Sequence, residues 1–250
     1  MPRYRLDIEY EGSSYIGWQR QKNGRSVQGS LEDAIFSLFQ EKIDIFGAGR
    51  TDAGVHALGQ VAHFDSEKHL PNEKVRDGLN YYLKFEKISV LRASKVSSNF
   101  HARFSATMRH YIYRILNRRS PPSVESGRVW HIPVVLNEKN MHNAAQCFVG
   151  YHDFTTFRAA HCQSNSPFKT ISSINVSKKS NEIIIIVSAK SFLHSQVRSI
   201  VGSLKLVGEG KWSDEELSQA LLACDRTKSG PVAPSMGLYL SKVDYLDKKN

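Results

Sequence analysis

The sequence has few cysteines and no long hydrophobic run. Its three cysteines, Cys147, Cys162 and Cys224, are widely spaced and include no CxxC pair. This is neither a disulfide framework nor a zinc-site pattern, and free cysteines are commonly just buried thiols. No stretch approaches the roughly 18 apolar residues of a membrane-spanning helix. Residues 1–7 lack the apolar segment of a signal peptide, so we expect a cytoplasmic protein.

Negative charge is also in short supply. The sequence contains 34 lysines and arginines against 24 aspartates and glutamates, which gives a formal net charge of +10. So basic a surface attracts polyanions over long range and is typical of proteins that bind nucleic acids. The alternative is a solvated cationic surface that only aids solubility. Charge alone neither decides between these interpretations nor names the partner.

The hydrophobic pattern of the first half predicts a β-α-β-β-α-β order. Alternating apolar residues predict a strand over residues 3–10. Ser26 is placed to cap a helix whose apolar stripe includes Leu31, Ile35 and Phe39. After the short segment 42–46, which takes the place of the second strand, the pattern predicts a strand over 60–64, a helix over 71–83 and a strand over 87–93. This is the order of a ferredoxin-like unit.

The second half repeats this pattern in a looser form. Strands are predicted over residues 109–117, 170–177, 182–189 and 238–245. Helices are predicted over residues 138–148, 192–207 and 214–223. Local pattern is weakest over residues 97–109, where a domain boundary is expected. We therefore predict an α+β fold of two ferredoxin-like units, residues 1–103 and 104–250, with antiparallel sheets.

Glycine is concentrated in one short stretch, residues 47–57. Three glycines among its first eight residues allow unusual backbone conformations and close approach of a ligand. The same loop contains Arg50 and Asp52. An aspartate in such a loop is more often a turn former than a catalyst, and the lysine of a phosphate-binding GxxxxGK[ST] loop is missing. On its residues alone, the loop is a candidate functional site with one acid.

Arg198 is the second candidate. The predicted helix over 192–207 has an apolar stripe, and His194, Arg198 and Lys205 lie along one edge of it. The stripe consists of Leu193, Val197, Ile200, Val201 and Leu204. An arginine at that edge can reach across the boundary of the core. The alternative is a snorkelling arginine that only covers apolar surface.

Tyr111 is the third candidate, on a strand that also carries Tyr113. Aromatic residues at such spacing are more often core than ligand-binding. Here, however, basic residues interleave with them, as an RNA-facing strand and loop would require, and aromatic rings stack on unpaired bases with about 1–3 kcal/mol each. The interleaved residues are Arg109, Arg114, Arg118 and Arg119.

The histidines raise the question of a metal. His56, His63 and Asp65 lie close in sequence, and His152 is next to Asp153. Neither group has a standard ligand spacing such as HExxH. Ordinary core or surface histidines are the simpler interpretation, so we expect no metal.

The glycine-rich stretch carries a resemblance to a known family. Gly49-Arg-Thr-Asp-Ala-Gly-Val-His-Ala57, followed by Gly59-Gln-Val61 and Phe64, resembles the signature of the tRNA pseudouridine synthase A family. The resemblance continues in order along nearly the whole chain. Further matching segments are Gly17-Trp-Gln19, Gln28, Leu31-Glu32, Leu79-Asn80, Phe100-His-Ala-Arg103, Arg109-His-Tyr-Ile-Tyr113, Gly150-Tyr-His-Asp-Phe154, Phe192-Leu-His194, Val197-Arg198, Ala233-Pro234 and Gly237-Leu238.

The resemblance implies an isomerase that converts uridine to pseudouridine in the anticodon stem-loop of tRNA, at positions 38, 39 and 40. It implies that Asp52 is the nucleophile, that Tyr111 stacks on the target uracil, and that Arg198 pairs with Asp52. Leu238 would line the pocket and Arg50 would bind substrate. The resemblance further implies a homodimer, sheets that form an RNA-binding cleft, and no cofactor.

Some alternatives stay open. The family is described with attack at either C1′ of the ribose or C6 of the uracil, and the sequence does not choose. Gln196 stands where the family commonly has methionine, preceded by Ser195, next to Arg198. Other classes are a non-catalytic tRNA-binding module, which gives Asp52 no role, and a metal-dependent hydrolase, which lacks ligand spacing.

Overall fold

The structure, a computed structural model, describes residues 1–160 and 162–246. Within these ranges it has five α-helices and ten strands, most of them antiparallel to their neighbours. This mixed α and β architecture agrees with the fold class that the sequence predicts, whereas the ferredoxin-like identity of the units stays a prediction. None of the helices in these ranges is long and apolar enough to cross a membrane.

The chain divides into two compact units. The first contains residues 1–107 and the described chain from Tyr239 onward, and the second contains residues 108–238. The closing strand belongs to the first unit because it pairs in parallel with an earlier strand, with Tyr239 opposite His56 and Leu240 opposite Ala57. The expected division at 103/104 assigned that strand to the C-terminal domain. The last four residues of that predicted domain, 247–250, lie outside the described residues.

The first unit combines a sheet with two helices. Its strands are β1 (Arg3–Tyr10), β2 (Phe46–Gly47), β3 (His56–Asp65), β4 (Ile88–Val96) and β10 (Leu238–Tyr245), in the order β4-β1-β3-β10 with β2 beside β3. Its helices are α1 (Val27–Phe39) and α2 (Asn72–Tyr82). Tyr4, Leu6 and Ile8 are fully buried, which confirms the inward face expected for β1.

Helix α1 begins where the sequence predicts. The Ser26 hydroxyl accepts a hydrogen bond from the Gly29 N–H at 3.1 Å, so it satisfies one of the donors left open at a helix start. Leu31, Ile35 and Phe39 are fully buried on its inner face. Strand β3 begins at His56, before the predicted start at residue 60. Its first residues interrupt the apolar pattern that marks the rest of the strand.

The second unit has five strands and three helices. Its strands are β5 (Ala106–Leu116), β6 (Trp130–His131), β7 (Gly150–Asp153), β8 (Phe168–Lys179) and β9 (Glu182–Ala189), in the order β5-β9-β8-β7 with β6 beside β5. Its helices are α3 (Glu138–Ala145), α4 (Gln196–Gly208) and α5 (Asp214–Leu222). The sequence did not predict β6 and β7, which are too short to show a period.

Helix α4 confirms the predicted apolar stripe from Val197 onward, but it begins four residues later than predicted, so the first member of the stripe, Leu193, precedes the helix. All members of the stripe are buried. Ser195 has a left-handed backbone conformation with φ of 60°, which separates the preceding segment from the helix. His194 therefore precedes the helix, and its predicted place on the helix edge beside Arg198 and Lys205 is wrong.

Candidate active site

The loop that carries Asp52 is fixed through its main chain. Gly17 and Asp52 form an isolated antiparallel bridge, and the Trp18 N–H donates to the Thr51 carbonyl at 3.0 Å. The Val55 N–H donates to the Asp52 carbonyl at 3.1 Å. Because these bonds use backbone atoms, they position the half-buried Asp52 without employing its carboxylate.

Buried side chains of β1 and β3 form hydrogen bonds with the loop. The Tyr10 and Thr51 hydroxyls share a hydrogen bond of 2.8 Å, and the Gln60 amide donates to the Gly49 carbonyl at 2.8 Å. Burial raises the pKa of Tyr10 to about 12, so its hydroxyl stays neutral at physiological pH. The loop is therefore attached to β1 and β3, two strands of the first unit's sheet.

Two glycines outside the glycine-rich stretch allow the close approach. Gly17 has φ of +117°, and a Cβ there would lie 2.7 Å from the Thr51 carbonyl oxygen. A Cβ on Gly12 would lie 2.0 Å from the Val55 carbonyl oxygen. Any larger residue at these positions would push the loop away. The sequence signal for Gly17 was present in the Gly-Trp-Gln motif, but only as a family match.

His56 and His63 have structural surroundings. His56 is buried, its Nδ1 accepts the Gly12 N–H at 3.0 Å, and its ring stacks on Tyr239 at 4.6 Å. His63 Nδ1 accepts the Ala102 N–H at 3.2 Å, and burial lowers its pKa to about 4. Across the described ranges, no three His, Cys, Asp or Glu side chains are grouped as a metal ligand set would require.

Tyr111 lies on β5 in the second unit. It stands opposite Val187 of β9 and is half-buried. Its ring meets the ring of Phe192 edge to face, with centroids 5.1 Å apart. Phe192 thus fixes the orientation of Tyr111 in the way that aromatic pairs prefer. Sequence reasoning matched Phe192 to the family but gave it no role.

Arg198 contacts the segment just before β10, at residues 233–234. Its Nε donates to the Ala233 carbonyl at 2.8 Å, and the Ala233 N–H donates to the Arg198 carbonyl at 3.1 Å. The next residue, Pro234, accepts a hydrogen bond of 2.7 Å from the Tyr113 hydroxyl. Burial raises the pKa of Tyr113, and the nearby Arg198 guanidinium opposes that rise.

These contacts bring three predicted residues into one region of the second unit. Tyr113 is two residues from Tyr111 on the same side of β5, and it contacts the segment that holds Arg198. A Cβ on Gly237, next to the buried Leu238, would lie 2.7 Å from the Tyr113 ring. Tyr111, Arg198 and Leu238 are therefore linked through Tyr113, whereas Asp52 and Arg50 lie in the first unit.

Gln196 is the first residue of α4 and is buried. Its amide oxygen accepts the Leu193 N–H at 2.8 Å, which closes the turn before the helix. Its amide nitrogen has no acceptor among the residues that the structure describes. The departure from methionine thus shapes the turn that leads into the Arg198 helix.

The four predicted RNA-binding arginines differ in their surroundings. Arg109 is buried and donates to the Lys190 carbonyl at 2.6 Å. Arg114 pairs with Glu182 and Glu125. Either would have to exchange these partners to reach a phosphate.

The other two predicted arginines, Arg118 and Arg119, are exposed in the loop after β5. The Arg118 guanidinium donates to the Ser120 and Pro121 carbonyls of its own loop. These two side chains are therefore the more accessible pair.

Comparison with known proteins gives the family to which this chain belongs. A family model described as tRNA pseudouridine synthase matches residues 8–105 and 144–246. The chain is 55% identical over 247 residues to tRNA pseudouridine synthase A of Sinorhizobium fredii, covering 98% of this chain and 100% of the relative. It is 54% identical over 245 residues to tRNA pseudouridine synthase A of Maricaulis maris, covering 98% of each.

Among solved structures, a crystal structure of a Cbf5-Nop10-Gar1 complex is similar only loosely. The TM-score is 0.34 at 8% identity, over 81% of this chain and 54% of the other. We base no conclusion on that likeness. The sequence matches are sufficient: the chain belongs to the tRNA pseudouridine synthase family. It is an isomerase that acts on tRNA.

Proposed function

We propose that the protein converts uridine to pseudouridine at positions 38, 39 and 40 in the anticodon stem-loop of tRNA. The observation that carries the proposal is the loop held by the Gly17–Asp52 bridge, which fixes one carboxylate through backbone contacts in a chain of this family. The resemblance to the tRNA pseudouridine synthase A family supplies the target positions. The target uridine leaves its helix before reaction, as is general for enzymes that modify bases.

In the proposed reaction, Asp52 is the nucleophile. The N1–C1′ bond breaks, the uracil turns, and a C5–C1′ bond forms, while the C5 proton is lost and N1 gains one. Asp52 attacks either C1′ or C6, and both routes place a carboxylate where charge or a covalent bond develops. No group is transferred to or from another molecule and no electron is exchanged, so the reaction needs no cofactor.

The other proposed roles belong to residues near Tyr113 and to the Asp52 loop. Tyr111 stacks on the target uracil and assists removal of the C5 proton, with its ring oriented by Phe192. Arg198 pairs with Asp52 and keeps it ionised, since a nearby cation favours the charged carboxylate. Leu238 lines the pocket, and Arg50, exposed in the Asp52 loop, binds the substrate.

We extend the proposal to the organisation of the protein. The N-terminal domain carries the catalytic loop, and the C-terminal domain carries Tyr111 and Arg198. The sheets form an RNA-binding cleft in a cytoplasmic homodimer. The resemblance supports the dimer, and sedimentation of the free protein and of its tRNA complex would test it.

The test of this function is an assay of the purified protein on unmodified tRNA without any added cofactor. We expect pseudouridine at positions 38 to 40 and at no other uridine. Chemical mapping of pseudouridine along the product tRNA measures this directly. Product at other positions would refute the proposed target, and no product on several tRNAs with uridine at these positions would refute the proposed activity.

Neutralising Arg118 and Arg119 together is expected to weaken tRNA binding and to flatten its salt dependence. Each phosphate contact releases counterions, so losing two contacts lowers the slope of log Kd against log salt by about 1.4 to 1.8. Binding measured at several salt concentrations for Arg118→Gln/Arg119→Gln gives this slope. The control is Arg76→Gln, which removes a half-buried arginine of α2 that pairs with Asp77. An unchanged slope in the double variant would exclude the loop from phosphate contact.

A further inference from the structure

We propose that one face of the first unit stacks unpaired nucleotides of the tRNA. This stacking face consists of Phe46, His101 and Phe104, with His63 beneath it. The inference rests on the proposed function, because its ligand is the tRNA of that function. It assigns a role to exposed rings that the proposed chemistry does not use.

The rings of the stacking face form a continuous series. Ring centroids are 4.4 Å apart between Phe104 and His101, 4.6 Å between His101 and His63, and 5.3 Å between His63 and Phe46. Of the two interior members, His63 is only 2% exposed. The two end members reach solvent, with Phe104 75% exposed and Phe46 50% exposed. The series therefore presents open ring surface at both ends of a fixed support.

Burial does not account for the two phenylalanines. A side chain that is three-quarters exposed, as Phe104 is, gains little of the hydrophobic stabilisation available to a core residue. A single exposed apolar side chain is ordinary. Here, both phenylalanine rings lie close to the ring of His101, with centroids 4.4 Å from it for Phe104 and 6.0 Å for Phe46. Paired open aromatic surface of this kind suits the flat face of a base.

The surrounding charges favour RNA over an apolar protein partner. The Arg103 guanidinium lies 5.6 Å from the Phe104 ring centre, where it can accompany a stacked base and its phosphate. Asp65, the carboxylate whose charge acts on His63, is paired with Arg3. Aromatic and basic residues together are typical of single-stranded nucleic-acid sites, and the net charge of +10 favours a polyanionic partner.

The position of the stacking face ties it to the Asp52 loop. Phe46 is opposite His63 in the pairing of β2 with β3, and Gly47 is opposite Ala62. Gly47 begins the loop that contains Asp52, so Phe46 stands at the loop's entrance. The Gln60 bond to the Gly49 carbonyl keeps the intervening chain against β3. His63 lies seven residues after His56 in β3, so the stacking face is at the Asp65 end of that strand, and nucleotides stacked on it would lie further along the tRNA from a uridine bound at Asp52.

The test compares Phe104→Ala with Phe85→Ala. Phe85 is 87% exposed in the same unit, and its ring is contacted by Lys84 as that of Phe104 is by Arg103. We expect Phe104→Ala to weaken the binding of an unmodified tRNA transcript about tenfold, as for loss of one stacked base. The salt slope should stay unchanged, because stacking releases no counterions. Phe85→Ala should bind as the unaltered protein does, and both variants should melt at its temperature.

Phe104→Trp gives the complementary result. A larger ring in the same exposed position should retain binding at or above the original level if the ring stacks on a base. Loss of binding in Phe104→Trp, unaltered binding in Phe104→Ala, or an equal loss in Phe85→Ala would overturn the inference. So would conversion of Phe104→Ala to a monomer, because the face would then be a contact between copies of the chain.

Failure of the inference is distinguishable from failure of the proposed function. If the unaltered protein forms pseudouridine at positions 38 to 40 and Phe104→Ala binds tRNA normally, only the stacking face is wrong. If the unaltered protein forms none while Phe104→Ala binds more weakly than Phe85→Ala, the face stands and the proposed activity is wrong.

Discussion

Asp52→Asn is expected to abolish pseudouridine formation while tRNA binding persists. Asparagine has nearly the same size as aspartate but offers neither a negative charge nor a nucleophilic oxygen to the reacting uridine. We expect turnover to fall at least about 10³-fold, the upper range for loss of one electrostatic contact to a transition state. Single-turnover pseudouridine formation and tRNA affinity, measured on the same preparation, separate the two effects.

The surroundings of Asp52 make this substitution informative. The bridge to Gly17 and the Val55 bond to the Asp52 carbonyl use main-chain atoms, so the loop should keep its conformation. Asp44→Asn, which changes an exposed aspartate upstream of the same loop, is the matched control and should retain turnover. A wild-type rate in Asp52→Asn would show that another group is the nucleophile. Loss of tRNA binding together with turnover would show that Asp52 mainly holds the loop.

Periodicity predicted most of the elements because their burial pattern is local. β1 alternates between core and surface, and the stripe of α1 repeats at helical spacing. The start of α4 could not be predicted in this way. Ser195 takes a left-handed conformation that glycine or asparagine would have signalled, whereas serine gives no such sign. The Gln196 side chain then closes the turn that replaces the expected helical turn.

Pairing partners were harder to predict than elements. The closing strand was predicted at 238–245, as observed. Alternation shows that a segment is a strand, but it says nothing about which strand lies beside it. The parallel contact of Tyr239 with His56 therefore needed the structure, and it moves the closing strand to the first unit.

The contacts of the candidate site could not be predicted from local sequence pattern either. Glycine content marked the loop around Asp52, yet the groups that hold it come from distant segments. Tyr10, Gly17 and Gln60 each contact the loop from a separate part of the first unit. Likewise, Arg198 was placed at a helix edge by its spacing, but its bond to Ala233 joins residues 35 apart in sequence. Such contacts depend on the folded topology and leave no local pattern.

Arg198→Lys is expected to lower kcat/KM by about 10²-fold or more with only a small change in tRNA affinity. Lysine keeps the positive charge, but it lacks the planar set of five donors with which arginine can bind a carbonyl and a second acceptor at once. In Arg198, the Nε donor already binds the Ala233 carbonyl, which leaves the terminal nitrogens directed by that contact. A lysine would have to choose one partner, and the charge that we propose acts on Asp52 would lose its fixed position.

Arg226→Lys is the matched control for that experiment. The Arg226 Nε donates to the Arg158 carbonyl at 2.7 Å, so the control loses an equivalent arginine–carbonyl hydrogen bond elsewhere in the second unit. Each variant should lose about 1 kcal/mol of stability, the usual net value of such a bond. Only Arg198→Lys should lose turnover. If both variants melt alike and both retain full turnover, Arg198 only anchors the 233–234 segment, and the cation proposed to keep Asp52 ionised must be sought elsewhere.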